Sequence, residues 1–395
     1  MSSLVLVGCG STLPKDSMLI ASNDAKIVKA AEIEVENKEI IGSQLPPLEQ
    51  KVYTVPTKVS IIAVGDNLIH EGVYKSGKLP DGTYSFDYMY ENVKDFISDK
   101  DIKVINQETV LVENPSSYSG YPCFGSPLAI GDAVRNVGFN VVTQATNHAY
   151  DKRETGILNS INYWKNFEDI TYLGIHDSME DYTNYRVIEK NGIKIGLLNY
   201  TYGLNGFKLP NDKQYLVDTL YDKNKIESDI KTLKTMSDFV IVFPHWGVEY
   251  TLKQVKDQEN MAKFMADSGA DLIIGAHPHV IEPLEYITSI DGRVVPCYYS
   301  LGNFISAQSE PERMLGAMAY VELEKDANGK VVISKSIAIP VVTHIEGGKY
   351  YSYYLKDYTN DLCAKHRLKL KGKSNMNIDY LEKTWNQVFP NDVIE

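Results

Sequence analysis

The chain predicts an α/β architecture, and three observations carry that reading. Short β-branched apolar runs recur from residue 58 onward. Helix-compatible stretches stand between several of them. The runs are apolar nearly throughout, as strands are when both faces of their sheet are covered.

Taken in order, the first strand is "KVSIIAVG", which begins at Lys58 and stops at a glycine. Further strands are expected at "IKVIN" (from 102), "FNVVTQA" (139), "IKIGLLNY" (193), "DFVIVFP" (238), "DLIIGA" (271) and "VVPCYYSLG" (294). Helices are expected at "SPLAIGDAVRNVG", "KRETGILNSINYWKNF", "KNKIESDIKTLKTM" and "QVKDQENMAKFMADSG", the last with a glycine stop. Beyond about 310 the text turns strand-rich ("GAMAYVELEKD", "KVVISKSIAIPVV"), and the last fifty residues read as an added tail or small helical cap. Three regions follow: a leader and polar linker (1–57), a main domain (58–345) and a C-terminal extension (346–395).

At 395 residues the chain can bury a sizeable core. A net charge of -12 with no Lys/Arg cluster argues against nucleic acid as a partner. Cys9, Cys123, Cys297 and Cys363 are far apart and form no CxxC pair, so neither a disulfide framework nor a zinc ribbon is expected. The leader "LVLVGCGS" resembles the end of a bacterial lipoprotein signal, with Cys9 as the lipid acceptor. The eight residues before it hold no Lys or Arg, so the charged part of such a signal is missing; the alternative is a chance small-residue motif. The polar stretch that follows suits a tether, and an extracytoplasmic, membrane-anchored location is the expectation.

Polar residues cluster just after the strands, where open α/β sheets place their sites. Gly65-Asp66 and His70 follow the first, Asn106-Gln107-Glu108 the second, and Thr146-Asn147-His148 the third, with Asp151 close behind. His245-Trp246-Gly247, Gly275-Ala276-His277-Pro278-His279 and Ser300-Leu301-Gly302-Asn303-Phe304 complete the set. Alone, each has an ordinary explanation: a Gly-Asp turn, a capped helix start, a packed aromatic corner. Together they hold five of the eight histidines, which scatter would rarely produce. Carboxylates, imidazoles and an Asn carbonyl suit one or two divalent ions such as Mn, Zn or Fe. Two such ions about 3.5–4 Å apart can clamp a phosphoryl-like oxygen. His277 and His279 would serve different ions, with Pro278 fixing the turn.

With these segments in order, and with "NYTYGLNG" at 199–206, the chain resembles the CapA/PgsA family of poly-γ-glutamate capsule biosynthesis proteins over roughly residues 58–345. That resemblance implies a metallophosphoesterase-like sandwich of two mixed β-sheets flanked by helices. It implies Asp66 and His279 on one ion, Asn147, His245 and His277 on the other, and Glu108 between them. His148 would be the proton donor, with Asp66 and Asn147 counted among the catalytic residues. His70 and Asn303 would meet substrate, though Asn303 equally suits a capped turn. One departure stands out: the family's fold places a histidine two residues after the first Asp, and here that residue is Leu68.

Three functions compete. The first is a lipid-anchored metal-dependent hydrolase acting on a phosphoester, an anionic polymer or an amide of the cell envelope. The second is a non-catalytic subunit of a polymer synthesis or export machine, working with membrane capsule-synthesis proteins. The third, a plain binding protein, is discounted by the number and order of the motifs. Retention of Asn147-His148 favours the first; Leu68 favours the second.

Overall fold

The computed structural model describes residues 57–370 and 376–390; the leader with Cys9 lies outside them. In chain order the elements are β1 (Thr57–Asn67), α1 (Glu71–Ser76), α2 (Lys94–Ser98), β2 (Ile102–Asn106), β3 (Leu111–Val112), β4 (Ser126–Pro127), α3 (Leu128–Val137), β5 (Val141–Thr143) and α4 (Arg153–Trp164). There follow β6 (Thr171–Leu173), α5 (Met179–Thr183), β7 (Arg186–Lys190), β8 (Ile193–Thr201), α6 (Lys223–Met236), β9 (Phe239–His245), α7 (Lys256–Ser268), β10 (Leu272–Ile274), β11 (Ile281–Thr288) and β12 (Val294–Leu301). The last are β13 (Asn303–Ile305), β14 (Leu315–Lys325), β15 (Val331–Glu346), β16 (Lys349–Tyr354), α8 (Asn360–Lys365) and α9 (Ile378–Val388).

Two mixed sheets dominate. The first runs β16-β15-β14-β1-β2-β5-β6, with β13 paired to the end of β1. Its β1, β2, β5 and β6 are parallel, and β14 to β16 are antiparallel. The second runs β11-β12-β10-β9-β8-β7, parallel in the middle and antiparallel at both edges. The expected sandwich of mixed sheets flanked by helices is therefore present.

The apolar strands explain the layering. Along β9, Phe239, Ile241 and Phe243 join the core shared with β1 and β2, while Val240 and Val242 join a second core with Ile230 of α6 and Met265 of α7. A strand with partners on both faces must be apolar at every position. The helices end where the sequence stops them, α3 at Gly138 (φ 104°) and α7 at Gly269 (φ 123°). Among the described residues no helix is long and apolar enough to cross a membrane.

The C-terminal extension differs from a separate cap. Residues 349–354 form β16, which pairs with β15 from Val341↔Tyr354 to Glu346↔Lys349. The boundary expected at 345 thus falls inside a hairpin, because "KYYSYY" buries alternate residues Tyr350, Ser352 and Tyr354. Trp385 and Phe389 of the final segment share the main core.

Two glycines let strand ends approach closely. A Cβ on Gly65 would stand 1.9 Å from the Gly302 carbonyl oxygen, and one on Gly275 would stand 2.1 Å from that of Tyr299. Gly275→Ala should therefore destabilise the protein by about 3 kcal/mol through forced strand separation. Chemical denaturation would measure it; a loss below about 0.5 kcal/mol would show that the approach is not tight.

Candidate metal centre

Strand ends from both sheets converge on one point. Asp66 lies near the end of β1 and His245 ends β9; Glu108 lies two residues past β2; Asn147 and His148 follow β5, and His277 and His279 follow β10. The Gly275 approach seats this last turn against β12, and Trp246 Nε1 donates to the same Tyr299 carbonyl at 2.9 Å. His277 (φ 105°) and His279 (φ 58°) both adopt the left-handed region, which side-chain-bearing residues seldom do. The Pro278 carbonyl between them accepts from the Tyr250 N–H at 2.8 Å. The two imidazoles, 5.8 Å apart, face different neighbours.

Those neighbours define overlapping groups of potential ligand atoms: Asp66, Glu108 and His279; Glu108, His245 and His277; Glu249, His277 and His279. Within each, the atoms lie within 4.8 Å of one another. Glu108 belongs to the first two. Asp66 Oδ1 accepts from Asn106 Nδ2 at 2.7 Å and from the His277 backbone N–H at 3.3 Å, while Oδ2 lies 2.9 Å from His279 Nδ1. Asn147 Oδ1 stands 2.9 Å from His245 Nε2, so these two ligand-type atoms already point at one place.

The decisive feature is what lacks a partner. Glu108 is fully buried, and neither carboxylate oxygen makes a hydrogen bond. Oε1 lies 3.7 Å from His245 Nε2 and 3.8 Å from His279 Nε2. His277 Nδ1 is likewise buried and unpartnered. Burial pushes the Glu108 carboxyl well up and the His245 and His277 imidazoles well down, so both rings are neutral at ordinary pH with ligating nitrogens available. Orphaned buried polar atoms are costly and rare. A divalent cation among them would satisfy both kinds at once, and the set of carboxylates and imidazole nitrogens fits Mn, Zn or Fe.

Around this cluster opens a cleft of about 750 Å³, whose lining includes His70, His148, Asn205, Glu249, Tyr250 and Arg313. His148 is held as an oriented base: its Nδ1 lies 2.7 Å from Asp151 Oδ2, which also accepts the Phe124 N–H at 2.7 Å. Phe124 packs edge-on against the ring at 4.6 Å. His70 does not bend back into any of the ligand groups. Its Nδ1 accepts from the Ala307 N–H at 3.2 Å, and burial lowers its pKa to about 4. It faces the cleft as a neutral ring. Asn303 is fully buried instead, its Nδ2 donating to the carbonyl oxygens of His279 (3.1 Å) and Arg313 (3.0 Å), which makes it a positioning residue beneath the turn.

Four residues of the site have no role assigned from the sequence. Asp151 was visible three residues after His148, and Asn205 stood inside the quoted "NYTYGLNG". Glu249, four residues after His245, and Arg313 carried no local signal, since only the fold brings them to the cleft.

With this geometry in view, one comparison decides the family. The sequence profile for the bacterial capsule synthesis protein PGA_cap matches residues 60–308. The chain belongs to the PGA_cap family. Among curated PGA_cap relatives, the capsule biosynthesis protein CapA of Bacillus anthracis is 28% identical over 336 residues, covering 80% of this chain and 78% of that protein. The PGA biosynthesis protein CapA of Bacillus subtilis is 29% identical over 203 residues, 51% of each. Of solved structures, the Haemophilus influenzae NAD nucleotidase is similar at a TM-score of 0.43 and 13% identity, covering 84% of this chain and 67% of that one. PGA_cap membership supports a capsule-related role, and the His/Glu/Asp cluster points to divalent-metal binding.

Proposed function

We propose that the protein is a metal-dependent hydrolase of capsule synthesis that acts on an anionic cell-envelope substrate. One observation carries the reading: the buried, unpartnered Glu108 carboxylate set between His245 and His279, beside an open cleft that Asn147, His148 and His279 line. A single structural ion would need neither the cleft nor an oriented histidine at its wall.

Asp66, Glu108, His245, His277, His279 and the Asn147 carbonyl would hold one or two divalent ions, which supply Lewis acidity toward the scissile group. The chain's own residues do the rest. Nδ1–H of His148 points at Asp151 Oδ2, so a second proton carried on Nε2 of the imidazolium would pass to the departing oxygen or nitrogen and leave the ring neutral. Arg313, stacked 3.6 Å over the Tyr250 ring, offers a guanidinium at the cleft to a carboxylate or phosphate. This local cation offsets the repulsion that a net charge of -12 presents to an anionic polymer. The PGA in the name of the Bacillus subtilis relative suggests poly-γ-glutamate as the polymer, and a lipid on Cys9 would hold the protein outside the membrane, where capsule-synthesis partners would meet it.

The test is metal content with turnover. His277→Ala should remove bound metal and any hydrolysis of phosphoesters or γ-glutamyl polymers, whereas His148→Ala should keep the metal and lose at least about 100-fold in rate. Equal metal loss in both variants would remove the proton-donor role. A metal-replete wild type that cleaves neither substrate class would favour the assembly-subunit reading, in which the site serves binding or stability.

A further inference from the structure

We propose that Glu249 is a metal ligand, supplying the donor that Leu68 does not. This rests on the metal-centre reading above and names a residue outside the set that the family resemblance implied.

An ion held by Asp66, Glu108 and His279 would have only these three protein donors. Two residues after Asp66, where an imidazole is expected, stands Leu68, a buried hydrocarbon that cannot ligate. His70 does not fill the gap, since its Nδ1 is engaged with the Ala307 N–H and the Leu68 carbonyl region. Three protein ligands can hold a catalytic ion, but a hard divalent ion favours a further oxygen.

Glu249 stands on the cleft side of that gap. Its carboxylate falls in one group with His277 and His279, within 4.8 Å of their ligating nitrogens, so it borders both positions that an ion would take. The second observation is His277 itself, nearly fully buried with Nδ1 unpartnered and in the same group. The backbone holds the carboxylate in place. Tyr250 is in the left-handed region (φ 68°), and its N–H is tied to the carbonyl of Pro278, between the two histidines. The loop carrying Glu249 and the turn carrying His277 and His279 are thus joined by a hydrogen bond of 2.8 Å. Asp66 and Glu108 approach from the floor, and Glu249 closes the ring from the solvent side. A ligand at that rim would exchange with substrate more readily than one from the floor, which suits an ion whose open position the substrate must reach.

The experiment titrates Mn²⁺ and Zn²⁺ into chelator-stripped full-length protein by calorimetry, with metal counted by plasma mass spectrometry. Wild type, Glu249→Gln and Glu249→Gln/Leu68→His are compared, and folding of each is checked by thermal melting without metal. We expect two equivalents in wild type, a second equivalent weakened at least tenfold in Glu249→Gln, and recovery of it in the double variant. Unchanged affinity for both ions in Glu249→Gln would overturn the assignment while leaving the metal centre standing. A wild type that binds no ion would overturn the metal centre, and this assignment with it.

Discussion

Replacing Glu108 with glutamine is expected to make the metal-free protein more stable and the metal-loaded protein less so. In wild type without metal, the carboxyl is buried with no hydrogen bond, and its pKa is pushed up by that burial. A group whose folded pKa is raised contributes stability that is present below its unfolded value and lost as pH rises through the folded one. At neutral pH and above, metal-free wild type therefore carries the cost of its buried ionisable carboxyl, which an uncharged isostere lowers by about 2 kcal/mol. With metal the order reverses. An ion that binds only the folded state at a thousand times its Kd adds about 4 kcal/mol, and Glu108→Gln forfeits it because both ligand groups containing Glu108 lose a donor. Melting curves with chelator and with saturating Mn²⁺ should cross between the two proteins. Curves that keep the same order in both conditions would mean that Glu108 meets no ion.

The second large effect lies away from the cleft. His176 is buried with Nε2 2.7 Å from Asp218 Oδ2 and Nδ1 3.6 Å from Asp181 Oδ2. Burial alone would lower its pKa, but the two carboxylates override it and raise the value to about 9. Lys225, 3.3 Å from Asp218, and Arg186, paired with Asp181, complete the charge balance together with Asp229 beside Lys225. Since the folded value is above the ordinary 6.5, the stabilisation is complete below pH 6.5 and is lost as pH rises toward 9. A shift of this size corresponds to about 3 kcal/mol. On the acid side the same network weakens through Asp181 and Asp218, both held below the usual carboxylate range against the pull of their own burial, by His176 with Arg186 and with Lys225 respectively. Urea unfolding of metal-free protein between pH 6 and 9 should show wild type losing about 3 kcal/mol more than His176→Gln. Parallel curves would assign the alkaline loss to other groups.

Much of this architecture was legible in the text because the central strands are apolar on both faces and β1, β10 and β12 meet a glycine at their ends. β1, β2, β5, β8, β9, β10 and β12 announced themselves in that way. The edge strands did not. β7 has no buried residue, and β11 carries a proline and is half exposed along its length, so neither has the continuous apolar run that marks a covered strand. β16 hid for a different reason: its tyrosines read as tail until β15 supplied a partner. In the site, residues that follow strands were visible because strand ends are where sheets expose chemistry. Glu249 and Arg313 were not, because their roles depend on loops that only the folded sheets bring face to face. His70 and Asn303 were placed in the right neighbourhood, but sequence spacing could not tell a cleft wall from a buried support.

The 2.9 Å contact between Asp66 and His279 joins residues 213 positions apart, one from each sheet. Until both sheets have formed and slid into register, no ion has a place to sit. An ion lodged there would then act as a rivet through the sandwich: it would do little to hasten the search for the fold and much to delay escape from it. The working lifetime of the folded protein would then be set by how long that rivet holds.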